Sequence, residues 1–144
     1  MKTIDFITAV GTQCRGNLWT WEGLSFGLTR DSTPDKRWDV IELATGCSLV
    51  GKTLLTRKRA IEMARIVLSS KGKKVVTKTI RKLLLDRVNT PVHGKIRTAH
   101  CVTPANQVKT ACGRVRDGSC VPPELLKKAK KPCRRCLKLL QASG

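Results

Sequence analysis

Apolar and polar residues alternate at strand-like spacing through the first third of the chain and recur at helical spacing through the middle third. Residues 4–10, IDFITAV, are rich in β-branched and aromatic types and predict a first strand. Trp19 and Trp21 share one face of a second strand, because alternate side chains point the same way. Beyond Gly23 the apolar parity moves to Leu24, Phe26 and Leu28, so Glu22-Gly23 predicts a turn or a bulge. Residues 31–36, DSTPDK, form a turn cluster around Pro34. Another strand follows over 38–43, and Thr45-Gly46 turns the chain into 47–50. The tryptophans belong to the core of this small antiparallel sheet.

Thr56 then stands as an N-cap ahead of RKRAIEMARIVLSSKG. Ala60, Ile61, Ala64, Val67 and Leu68 make one apolar stripe, and Lys71-Gly72 gives the helix a cationic last turn with glycine after it. A second helix is predicted over 77–89, with Ile80, Leu83, Leu84 and Val88 inward and Lys78, Arg81, Lys82 and Arg87 outward. Thr90-Pro91 ends it, and VHGKIRT reads as a linker or short strand. Further on, Pro122-Pro123 opens a short helix through Leu125 and Leu126, and Pro132 stops it.

Charge divides the 144 residues unevenly. Residues 1–51 carry five Lys+Arg against six Asp+Glu, a net of −1, whereas residues 52–144 carry 24 against four, a net of +20. An excess so one-sided points to a polyanionic partner, most often nucleic acid. Its candidate contacts are Arg57, Lys58 and Arg59, which open the first helix, and Lys127, Lys128, Lys130, Lys131, Arg134, Arg135 and Lys138 near the C-terminus. Three cations in a first helical turn oppose the helix dipole, at a cost of about a few tenths of a kcal/mol, and an anionic partner would compensate. The five aromatic residues all lie within the first 38 positions, and there is no tyrosine. The basic part therefore lacks a platform for unstacked bases, which favours duplex DNA or folded RNA over single strands. No apolar run is long enough to span a bilayer, which excludes an integral helical membrane protein.

Five of the seven cysteines fall in the stretch HCVTPANQVKTACGRVRDGSCVPPELLKKAKKPCRRC, residues 100–136. Its closing Cys133-x-x-Cys136 lets one tight turn aim two thiolates at a single ion, half of a tetrahedral zinc site. Cys112 is the best third ligand, because Gly113 allows a tight turn beside a metal-bound sulfur. His100 is the best fourth. Cys101, beside His100, and Cys120, in the intervening loop, remain alternatives to these ligands. The N-terminus MKTIDFITAV shows no apolar signal region, and an odd cysteine count suits a reduced, zinc-binding protein of the cytoplasm better than a disulfide framework.

The order His100, Cys112-Gly113, a basic segment, then Cys133-Arg134-Arg135-Cys136-Leu137 resembles a small zinc-finger module of the His-Cys-Cys-Cys type found in short bacteriophage proteins. The resemblance covers about the last third of the chain. It implies a small phage-encoded zinc protein, in a family with no single activity to carry over.

Residues 46–53, GCSLVGKT, satisfy the phosphate-loop pattern between a predicted strand and a predicted helix, and Leu83-Leu84-Leu85-Asp86 imitates the apolar run ending in a magnesium-binding aspartate. That run, however, lies in a helical pattern among cations. Setting the C-terminal module aside leaves only about 90–95 residues, too few for a nucleotide-binding α/β sheet flanked by helices. A P-loop nucleotide-binding enzyme is thus the remote alternative, and no catalytic constellation is expected. The expected fold is α+β: a small antiparallel β-sheet packed by a helix, a second helix, then a C-terminal zinc finger, divided into residues 1–90 and residues 97–144. The expected function is nucleic-acid binding with Zn2+ as cofactor, chiefly through phosphate contacts. The alternative is a small protein that binds and inhibits or redirects a host protein machine.

Overall fold

A computed structural model describes residues 1–30, 36–51, 56–103 and 106–143. The chain is mixed α+β and forms two compact units, Met1–Lys78 and Thr79–Gly144.

The first unit is a four-stranded antiparallel sheet in sequential order: β1 (Thr3–Ile7), β2 (Gln13–Trp21), β3 (Leu24–Arg30) and β4 (Trp38–Glu42). The parity change after Gly23 is a two-residue hairpin. Trp21 pairs with Leu24, and Glu22 and Gly23 both take positive φ, 50° and 82°. Two positive φ angles in succession give the turn whose twist matches that of the flanking strands. Trp19 faces Phe26 across this hairpin with ring centroids 5.3 Å apart.

On one face of the sheet Trp19, Phe26, Leu28 and Val40 pack against Ala60, Ala64 and Leu68 of helix α1 (Arg57–Lys71). Two alanines at helical spacing let the helix lie close on the sheet. Burying each large side chain of this layer stabilises the fold by roughly 1.5–3 kcal/mol. Phe6, Ile41 and Leu43 form a smaller core, joined by Ile4, Cys14 and Leu18. Thr56 caps α1 as expected, accepting a hydrogen bond from the Arg59 amide at 3.2 Å, and Gly72 ends it with φ 83°.

Several boundaries differ from the sequence pattern. β1 stops at Ile7, because Thr8 turns the chain through bonds from its own amide to Thr12 O and from Gly11 to Thr8 O. Residues 47–50 make one antiparallel bridge, Ile41 to Ser48, in place of a strand. Helix α2 (Lys73–Asn89) begins directly after Gly72, four residues earlier than expected. Leu84 and Val88 are buried on it, but Leu83 is 37% exposed and does not point inward. VHGKIRT opens with a tight turn in which Val92 and Lys95 exchange both backbone hydrogen bonds. Of the 31–36 turn cluster, only Lys36 lies within the described residues.

Residues 46–51 are a folded return, with four of their amides already engaged. Gly46 N–H donates to Glu42 O, Cys47 N–H to Thr45 Oγ1, Leu49 N–H to Val40 O and Gly51 N–H to Ser48 Oγ. A Cβ on Gly46 would lie 2.6 Å from Ala9 N, so close backbone approach accounts for this glycine. Lys52 and Thr53 lie outside the described residues. Leu83-Leu84-Leu85-Asp86 is helical, within α2.

The second unit contains the rest of α2, the two-residue strands β5 (His100–Cys101) and β6 (Cys120–Val121), and helices α3 (Pro123–Leu126) and α4 (Arg134–Ser143). β5 and β6 are parallel. Residues 99–102 run between two neighbours, bonding to Ser119 and Val121 on one side and to Lys131 and Cys133 on the other. Pro123 stands at the start of α3, and Leu125 and Leu126 are buried, as the sequence suggests.

Candidate metal centre

The segments that meet around residues 99–102 bring four side chains to one point. His100 comes from β5. Cys112 sits at the tip of a hairpin closed by the Lys109–Val115 bridge and by bonds from Thr110 N to Arg114 O and from Arg116 N to Val108 O. Gly113 takes φ 92° at that tip. Cys133 immediately precedes α4, and Cys136 lies in its first turn. The ligand atoms of His100, Cys112, Cys133 and Cys136 lie within 4.8 Å of one another, an arrangement suited to hold a metal ion. His100 turns Nδ1 to the group, 3.4 Å from Cys112 Sγ. Among the described residues no other set of three or more such side chains converges in this way.

The Cys-x-x-Cys is not a free turn, as the sequence alone suggests, but the start of a helix. Cys133 Sγ accepts the Cys136 amide at 3.4 Å, as an N-cap side chain does, and Leu137 N closes the first helical bond to Cys133 O. Helix N-termini favour negative charge, so the position suits thiolates. Cys136 Sγ accepts the Cys101 amide at 3.4 Å, and Thr110 Oγ1 lies 3.3 Å from Cys112 Sγ.

These contacts set unequal proton affinities. Burial raises the Cys112 thiol, but hydrogen bonds with Thr110, Cys136, His100 and Cys133 outweigh it and bring the pKa down to about 6. Burial raises Cys136 to about 12, with the Cys101 amide acting in the opposite sense.

Cys101 and Cys120 stand outside the cluster. Both are buried, and burial is the main cause that raises each to about 11. The Cys101 backbone serves the site through its amide, while Cys120 Sγ points to Asp117 Oδ1 at 3.8 Å. Asp117 is held below the ordinary carboxylate range: burial works against this, but the Ser119 hydroxyl and amide prevail, assisted by Arg97 and His100. No disulfide joins any of the seven cysteines.

The candidate phosphate contacts of the second unit are all exposed: Lys127, Lys128, Lys130, Lys131, Arg134, Arg135 and Lys138. Arg57, Lys58 and Arg59 are exposed on α1 in the first unit. There Arg57 donates to Asn17 Oδ1 at 3.2 Å, and Arg59 pairs with Glu62 at 3.4 Å. Sequence patterns missed Arg114, exposed just past the Cys112 tip, and the exposed residues of α4 beyond Lys138. The signal was present in the i, i+4 spacing of Cys136 and Leu140, which marks the inner side of a helix. No helix is long and apolar enough to cross a membrane, among the described residues. No family model matches the chain, nor does any curated protein or solved structure.

Proposed function

We propose that the second unit is a zinc-held module that binds nucleic acid through phosphate contacts. The convergence of one imidazole and three sulfurs carries the metal assignment. Zinc favours a tetrahedral set of nitrogen and sulfur donors. With Zn–S about 2.3 Å and Zn–N about 2.0–2.1 Å, a tetrahedral angle requires roughly 3.5 Å between sulfur and nitrogen. The Cys112 Sγ to His100 Nδ1 distance is 3.4 Å. Four protein donors make a closed, structural type of site, whereas a catalytic zinc keeps one position for water. No catalytic step is therefore assigned. Thiolate ligands favour a reducing compartment such as the cytoplasm. The likeness to small bacteriophage zinc fingers rests on these same residues.

Nucleic acid is favoured by what surrounds the ligands. Residues 79–144 carry 15 Lys+Arg against three Asp+Glu. Arg134 and Arg135 lie between two ligands, so a bound ion fixes their backbone and little entropy is lost when they meet phosphate. Nucleotide hydrolysis is disfavoured by the engaged amides of Gly46, Cys47, Leu49 and Gly51, since a phosphate loop needs such N–H groups for its ligand. A second reading, docking on an acidic surface of a host protein, draws on Val115, 65% exposed beside Arg114, because phosphate has no use for an apolar side chain. A gel-shift series with duplex DNA, hairpin RNA and single strands, run on zinc-loaded and chelator-stripped protein, tests the proposal. Duplex or hairpin binding that weakens on stripping is expected. Equal binding by stripped protein, or none by either form, refutes it.

A further inference from the structure

Resting on the nucleic-acid reading, we infer that α4 enters the major groove of duplex DNA and reads base edges beyond the phosphate contacts made at its start. At 3.6 residues per turn, Cys136, Leu137 and Leu140 share one side of α4, and these are its buried and half-buried positions. The opposite side presents Arg134, Arg135, Lys138, Leu139, Gln141 and Ala142, all exposed. The charge on that side is graded. Two arginines stand in the first turn, one lysine follows a turn later, and none comes after it.

A surface that only neutralised phosphate would gain by remaining cationic. This one changes instead to an amide, a methyl group and a leucine that is 43% exposed. Those are the groups that distinguish bases: a glutamine pairs with both N6 and N7 of adenine, and an apolar side chain contacts the thymine methyl. Lys138, between the two regions, can reach guanine O6 or N7. A ten-residue helix is about 15 Å long and fits a groove about 12 Å wide. The major groove of double-stranded RNA is too narrow for side chains to read, so the occupant is DNA. The ligand pair Cys133 and Cys136 would anchor the first turn of α4 to the rest of the module, and Lys127, Lys128, Lys130 and Lys131 precede it as exposed backbone contacts.

The experiment is selection of full-length, zinc-loaded protein on a pool of double-stranded DNA with a randomised 12-base-pair core (~12 positions, to exceed one module's reach). Sequencing of the retained fraction should show a preferred run of about three to five base pairs. Gln141→Ala should remove the preference at one of them, with a roughly five- to hundredfold loss of discrimination there. Its affinity for a fixed, unselected duplex should change less than about twofold, since phosphate contacts are untouched. Lys138→Ala should relax a neighbouring position. Retention of duplexes without enrichment, or enrichment that Gln141→Ala and Lys138→Ala both leave unchanged, overturns this inference and leaves phosphate binding standing. Failure to retain any duplex overturns this inference as well, and binding of hairpin RNA in the gel-shift series then decides whether the nucleic-acid reading stands.

Discussion

Cys112 and Cys136 are shifted in opposite directions, and that difference has consequences for any ion they bind. Metal takes thiolates, so a thiol pushed up to about 12 must release its proton on binding at any pH below that value. Cys112, brought down to about 6, is already ionised at neutral pH and adds its own proton only below about 6. The sign follows: affinity rises with pH, and the dependence gains one further proton on the acid side of about 6. Competition against a chelating dye at several pH values between 5 and 8 (~0.5 unit apart) should give a log affinity that climbs throughout and steepens at the acid end. Substitution separates ligands from neighbours. Cys136→Ser should lose the ion together with ordered structure over residues 98–140, because the donor set links every segment of that region. Cys101→Ser and Cys120→Ser should keep about one equivalent of zinc by metal analysis, since neither sulfur faces the group. Zinc kept in full by Cys136→Ser would refute the ligand set. Of this site the sequence disclosed the ligand types and the Cys-x-x-Cys pair. It left Cys112 and Cys120 open, because what separates them is long-range: Cys120 lies in a strand paired to His100, while Cys112 lies at a hairpin tip.

Among the elements, the sheet was the most legible, since period-two alternation and a parity change are local signals. Its limits were less so. Nothing local announces that β1 ends at Ile7, or that Gly72 both closes α1 and leads straight into α2. The helix on which the Cys-x-x-Cys sits was hidden because its first turn is ordered by Cys133 capping Cys136, a contact a thiol rarely supplies. One tight contact offers a direct test of the sheet. A Cβ on Gly27 would lie 2.6 Å from Phe6 Cε1 and 2.7 Å from its Cζ. Phe6 is fully buried, so its ring has no free space to enter. Gly27→Ala should lower stability by roughly 1–3 kcal/mol, read as an earlier denaturation midpoint with unchanged slope. An unaltered midpoint would mean that the ring does not lie over β3.

For the whole molecule the decisive quantity is where its charge lies. A net of −1 over residues 1–51 and +20 over residues 52–144 makes any polyanion partner a matter of the later residues, and salt is the natural probe. If the exposed cations around the candidate metal centre meet about five phosphates of a duplex, log affinity should fall against log salt with a slope of about −4 to −5. Arg134→Glu with Arg135→Glu should reduce that slope by about 2 and weaken selected and unselected duplexes alike, because phosphate contacts carry no sequence information. Both positions are exposed and lie beside the donors without being donors, so zinc content should be unchanged in the double variant. Chelation acts by another route. It should weaken binding by freeing the segments the ion holds, and restored zinc should recover it in the parent protein but not in the double reversal. The Gln141→Ala variant should keep the full slope, which separates groove reading from charge neutralisation in one data set. Affinity that is indifferent to salt, or indifferent to the double reversal, would transfer the cationic surface to the protein-partner reading, where apolar Val115 rather than phosphate charge would set the strength of the contact.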